Sequence, residues 1–195
     1  MNNQKLKVGI SIGDPNGIGI EVILKSFENS NMLKLFSPVI FAPHEIIEHQ
    51  RTHFSIDVEL NLIHKLKDIC KERINVFSHS LEQFKHTFGK ATRQGGEVAL
   101  NSLLASAKAL EYREIQALVT APINKKNVLS GTFNFVGHTE FLANFFSSES
   151  LMFMIGGNLK LGLLTDHIPI NKVSNSITKK TLREKILIMI KSMQN

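Results

Sequence analysis

The chain holds a single cysteine, Cys70, one tyrosine and no tryptophan. One thiol cannot close a disulfide within the chain, which fits a reducing compartment and sets the expectation of a cytoplasmic protein. It also rules out a Cys-rich zinc pattern, and no H-E-x-x-H stretch takes its place. The scarcity of Trp and Tyr, the aromatics that stack on bases, argues against nucleic acid as a partner. That holds although Lys and Arg outnumber Asp and Glu by 23 to 17, for a net charge of +6. The densest basic stretches, "KHTFGKATR" (85–93) and "ITKKTLREK" (177–185), read as solvated surface. The positive balance suits small anionic substrates. No apolar run approaches the length of a membrane span, and no apolar leader precedes the first strand, so neither a membrane nor a secretory signal is expected.

What is present is material for a core. Hydrophobic residues make up 43% of the 195 residues and charged ones 21%, the balance of one generous globular domain or two small ones. Short apolar runs alternate with helical periodicity, which is the α/β pattern. The spacing predicts strands at 7–12, 38–42, 74–77, 116–120, 151–155 and 159–164. "GGN" at 156–158 predicts a hairpin, making part of the sheet antiparallel. A helix is predicted at 96–112, with Leu100, Leu103, Leu104, Ala107 and Leu110 on one face. A last helix is predicted to begin near Thr178 to Thr181, with Thr181-x-x-Glu184 as its capping box. Its stripe of Leu182, Ile186, Met189, Ile190 and Met193 needs a cover. A division near residue 122 gives an N-terminal α/β domain, 1–122, and an incomplete, dimer-forming second domain, 123–195.

The stretch "ISIGDPNGIGIEVILKSF" (10–27) runs from a strand through glycines into a helix whose stripe is Ile20, Ile23, Leu24 and Phe27. Gly13, Gly17 and Gly19 give G-x-x-x-G-x-G, which matches neither the dinucleotide fingerprint nor the phosphate loop with its Lys. Two readings stay open: a helix N-terminus offering N–H groups to an anion, or a plain strand–turn–helix corner.

Polar clusters follow the predicted strands, and open α/β sheets bind ligands beyond the carboxyl ends of their strands. They are Gly13–Gly17, Thr120–Lys125 and Thr165-Asp166-His167, with a fourth, Gly137-His138-Thr139-Glu140, at the start of a helix. Each also has a structural reading. Asp14 can simply fix the turn, Thr139 cap the helix, Asn124 begin the next one, and His167 sit in a core. His44, His49, His53, His64, His79 and His86 show no ligand-like pairing and read as surface residues.

Taken in order, "GDPNGIGIE" (13–21), "VTAPINK" (119–125), "GHTEFLA" (137–143) and "TDHIPI" (165–170) resemble 4-hydroxythreonine-4-phosphate dehydrogenase, an enzyme family of pyridoxal phosphate (vitamin B6) synthesis. The resemblance runs from residue 7 to the last helix. It implies an α/β fold of the isocitrate/isopropylmalate dehydrogenase-like two-domain type, with the family continuing past Asn195. It also implies oxidation, with decarboxylation, of 4-phosphohydroxy-L-threonine by NAD or NADP with a divalent metal (Zn, Mg or Co). His138 and Thr139 would bind the substrate. His167 would be one of three metal histidines, in a site shared across a homodimer. The glycine loop would shape the cleft near the reactive end of the cofactor. The resemblance assigns no catalytic base and no cofactor-binding residue here. The other two metal histidines would lie beyond this chain, so the 195 residues alone are expected to be inactive. Asn16, Ile20 and Asp166 depart from the residues common in the family at those places. The alternatives are a dehydrogenase of a phosphorylated four-carbon sugar acid (threonate or erythronate phosphate), an inactive binding or dimerisation module, and a phosphate acyltransferase on a related fold.

Overall fold

The computed structural model describes residues 5–78, 83–128 and 137–194. The chain packs as two compact units, Met1–His138 and Thr139–Asn195. The first unit is built on five strands: β1 (Leu6–Ser11), β2 (Phe36–Phe41), β3 (Leu60–Ile63), β4 (Ile74–Phe77) and β5 (Ala117–Thr120). Their order is β3-β4-β2-β1-β5, and every neighbouring pair is parallel. A parallel sheet is covered on both faces, so its central strands are almost continuously apolar. That is why "VGISI" and "PVIFA" were legible as strands.

The register sorts the side chains between two layers. Ile10 stands opposite Ile40, and both pack with Ile74, Val76, Ile20 and Leu24 of α1 (Gly19–Lys25) and Ile46 and Ile47 of α3 (His44–His53). The alternate side chains, Val39 and Phe41, face Ala109 of α4 (Arg93–Glu111) and Ile115, which follows that helix. A short α2 (Asn31–Leu35) precedes β2, and α5 (Lys125–Val128) follows β5. Ser102 of α4 ties the layers together. Its hydroxyl accepts from the Ile12 N–H at 3.0 Å and donates to the Phe41 carbonyl.

Two sequence expectations shift here. The long helix starts at Arg93, not 96, because Thr92 caps it by accepting the Gly95 N–H at 3.0 Å. The division near 122 moves to His138/Thr139, because α5 stays with the first unit. Gly96 of α4 lies so close to the Asn127 carbonyl of α5 that a Cβ there would overlap it.

The second unit contains α6 (His138–Phe145, whose first residue closes the first unit), the hairpin β6 (Phe153–Gly156) and β7 (Leu159–Gly162), α7 (Ile170–Ser176) and α8 (Lys179–Met193). The hairpin forms as expected, turning at Gly157 with φ 55. It is a separate two-stranded sheet, however, and not an antiparallel part of the main one. The cap of the last helix lies one turn before the predicted one. Thr178 accepts the Thr181 N–H at 3.1 Å, and Thr181 Oγ1 accepts the Thr178 N–H at 3.0 Å. A threonine hydroxyl at the third helical position replaces the expected carboxylate. Among the described residues no helix is long and apolar enough to cross a membrane.

Candidate active site at the carboxyl ends of the parallel strands

The chain leaves β1 through Gly13, whose φ of 65 is costly for any residue with a Cβ. A side chain there would also collide with the Pro122 carbonyl. The next residue exploits that closeness: the Asp14 N–H donates to the Pro122 carbonyl at 2.9 Å. The first two polar clusters of the sequence are thus joined through the backbone.

Within the loop the amides of Asn16 and Gly17 are also used. The Asn16 N–H donates to the Asp14 carboxylate at 2.9 Å and the Gly17 N–H to the Asp14 carbonyl at 3.0 Å. The side chain of Asn16, only 2% exposed, reaches outward. Its amide donates to Thr92 Oγ1 at 3.0 Å, and its carbonyl oxygen accepts the Thr87 N–H at 2.8 Å. The Asn16 main-chain carbonyl accepts the Gly89 N–H at 2.8 Å, and Gln50 of α3 donates to the Pro15 carbonyl at 2.6 Å. The amides of Asp14, Asn16 and Gly17 are therefore not available to an anion. The loop is a knot holding α3, α4 and the 87–89 segment together, as the corner reading expects.

His138 opens α6 and Thr139 lies exposed inside its first turn, not at the cap. His138 is half-buried, its Nε2 is enclosed with no partner, and burial pushes its pKa below the usual 6.5. An enclosed imidazole nitrogen without a partner is the exception in folded proteins. At a helix start the dipole favours an anionic or hydroxyl group. Asn124 stands directly before α5, its carbonyl accepting the Asn127 N–H at 3.0 Å.

His167 belongs to the second unit, exposed and in left-handed backbone at φ 50. Its neighbours Thr165 and Asp166 line a hollow of about 360 Å³ with Glu149, Thr181, Glu184 and Lys185. No group of three or more His, Cys, Asp or Glu among the described residues could hold a metal ion. His167 alone does not fit a catalytic metal, which takes about three protein ligands. No step is therefore routed through one. Of the remaining histidines, His86 is not simply at the surface. It is half-buried, stacked on His49 with ring centroids 3.9 Å apart, and burial followed by the neighbouring His49 and His53 lowers its pKa to about 4. His79 lies outside the described residues.

The residues that sequence reasoning missed are Thr92, Gly95, Gly96, Thr87 and Gln50. A Thr ahead of a helical run is a capping signal. A glycine pair in a first turn marks a close approach, and both signals are present in "TRQGG".

The family of the pyridoxal phosphate biosynthetic protein PdxA matches residues 34–195. A 4-hydroxythreonine-4-phosphate dehydrogenase of Bacteroides thetaiotaomicron is 33% identical over 192 residues, which are 96% of this chain and 52% of that protein. A Clostridium botulinum protein provisionally named a D-threonate 4-phosphate dehydrogenase is 27% identical, over 96% of this chain and 57% of its own. The crystal structure of 4-hydroxythreonine-4-phosphate dehydrogenase from Klebsiella pneumoniae shares the fold, with a TM-score of 0.87 at 22% identity over 100% of this chain and 60% of that one. The chain spans about half the length of the curated relatives it matches.

Proposed function

The chain belongs to the family of the pyridoxal phosphate biosynthetic protein PdxA, and on that premise we propose that it is part of a dehydrogenase oxidising 4-phosphohydroxy-L-threonine with NAD or NADP and a divalent metal. The observation that carries the reading is the match of the Bacteroides dehydrogenase over 96% of this chain. Oxidation of the alcohol yields a β-keto acid, and loss of CO₂ from it leaves an enolate. The nicotinamide would take the hydride.

The work assigned to this chain is binding and orientation. His138, kept neutral by burial and with an unpartnered Nε2, hydrogen-bonds a substrate oxygen. Thr139 adds a hydroxyl from the same turn. His167 contributes one imidazole to a metal whose other ligands come from polypeptide outside this chain. A homodimer sharing the site, in the cytoplasm, completes the reading. The Clostridium relative supports a second substrate, D-threonate 4-phosphate, which carries a hydroxyl where the first has an amine.

Titration of the ¹⁵N-labelled chain with each phosphorylated acid tests the reading. The expected result is a saturable shift of the His138 and Thr139 amides, reduced in His138→Ala and Thr139→Ala. Shifts with neither compound, or shifts that both substitutions leave intact, contradict it. The stronger responder of the two identifies the substrate class.

A further inference from the structure

Residues 83–89 lie across the first unit as a strap. At one end Gln94 of α4 donates to the Gln83 carbonyl at 2.8 Å. At the other, the Thr87 and Gly89 amides both end on Asn16, each at 2.8 Å. Between these ends the strap is clasped to α3 by rings. His86 stacks on His49 with centroids 3.9 Å apart, and Phe88 stacks on His53 at 4.7 Å. The spacings match. His49 and His53 lie one helical turn apart, at 6.2 Å, and His86 and Phe88 lie two residues apart on the strap, at 5.6 Å. The two rungs therefore close together. The clasp has a polar defect, because His86 Nδ1 and Thr87 Oγ1 are enclosed with no partner among the described residues.

We propose that this strap is a proton-operated latch: a proton taken up by His86 breaks the stack on His49, lifts residues 84–89 off α3 and frees Asn16, while the sheet stays folded. The cause lies in what surrounds the imidazole. From α3 it faces His49 and His53, which oppose its charge. Of the carboxylates on that helix, Glu48 is paired with Arg51, with His44 beside it, and Glu45 is exposed in the first turn. From the loop, the Asp14 carboxylate is taken by the Asn16 N–H. From α4 the strap meets neutral Gln94, and Arg93 and Glu97 pair with each other. Lys85 and Lys90, on and beside the strap, add charge of the same sign. Among the described residues no carboxylate pairs with His86, so a charged ring has to leave its enclosure to be solvated. The sign follows from a pKa of about 4 in the closed strap against the ordinary 6.5. Closure is complete above about 6.5 and is lost as pH falls towards 4. Asn16 is the centre of the polar knot at the carboxyl edge of the sheet, so acid loosens the corner beside the candidate site. The inference stands on the first unit alone and does not depend on which substrate the protein takes.

Hydrogen exchange of the whole chain, resolved amide by amide, is the test. The protection factors of the Thr87 and Gly89 amides are expected to fall by about twentyfold from pH 7 to pH 5. Those of β1 and β2 hold over the same range. His86→Phe keeps a ring to stack on His49 and cannot take the proton, so its strap amides stay level. His86→Gln, which cannot take it either, is the replacement where the phenyl ring disturbs the fold. Phe88→Ala removes the second rung and lowers the protection of both amides at pH 7, with the sheet unchanged. Four results overturn the inference. They are level protection in wild type, a loss in step with β1 and β2, a fall as large when His86 is replaced, or a Phe88→Ala strap as protected as wild type.

Discussion

Thr92 Oγ1 lies 3.0 Å from the side-chain nitrogen of Asn16, tying the start of α4 to the loop that leaves β1. The same hydroxyl accepts the Gly95 N–H, so one threonine both caps the helix and anchors the loop. Asn16 meanwhile receives the Thr87 and Gly89 amides. The carboxyl edge of the sheet is therefore fixed by a buried polar knot, and polar knots are costly to leave half-paired.

Asn16→Ala removes two side-chain hydrogen bonds, the one to Thr92 Oγ1 and the one from the Thr87 N–H, and leaves that N–H without its acceptor, while the Gly89 N–H keeps the main-chain carbonyl. The expected loss is about 2–3 kcal/mol, read as a lower urea midpoint at unchanged slope. Asn16→Asp keeps the acceptor for Thr87 but buries a charge, and falls between the two. An Asn16→Ala midpoint equal to wild type would show that the knot contributes nothing.

Gly96→Ala sets two effects against each other. Helix propensity alone favours alanine by about 1 kcal/mol. The new Cβ, however, collides with the Asn127 carbonyl, and backbone cannot swing aside as a side-chain tip can. Forced repacking costs about 1–3 kcal/mol, so the net expectation is a lower melting temperature. A higher one would mean that α5 moves away from α4 freely.

How much of this was legible follows from where the partners lie. β2 shows as an apolar run in "PVIFA". β3 ("LNLI") and β4 ("INVF") each carry one Asn, and the pairing of the Asn61 amide with Asn75 that joins them is invisible in the sequence. The start of α4 hides because Gly95 and Gly96 are poor helix formers, placed there for close approach. The glycine loop leaves the anion and the corner readings both open until its partners are known, and Thr87 and Thr92 lie 71 and 76 residues from Asn16. The motif G-H-T-E correctly located a helix start. The left-handed backbone at His167 leaves no mark in the sequence.

His86 predicts a pH dependence. In the fold its pKa is lowered from 6.5 to about 4, chiefly by burial and then by His49 and His53. The unfolded chain takes the proton more readily, so the contribution of neutral His86 is complete above about 6.5 and declines as pH falls towards 4. Because carboxylates titrate over part of that range, the informative quantity is a difference. Between pH 6.5 and 4 the melting temperature of wild type drops further than that of His86→Gln, and the Thr87 and Gly89 amides broaden only in wild type. Parallel slopes would sink the assignment.

The hairpin of the second unit carries the prediction for self-association. Met154 pairs with Leu161 across the strands, and Leu159 lies two residues before Leu161, so the three share one face. All three are more than half exposed. The opposite face is the one that meets α8, where Gly162 lies against Met189. An apolar strip of this kind on a two-stranded ribbon is unfavourable in water unless covered, and the homodimer proposed above would supply a cover. Leu161→Asp places a carboxylate at the centre of that face and should convert dimer to monomer in light scattering, with circular dichroism unchanged. Lys160→Asp, on the other face of the same strand, should leave the dimer intact. Dimers that survive Leu161→Asp, or a wild-type chain that is monomeric throughout, would remove the hairpin from the interface.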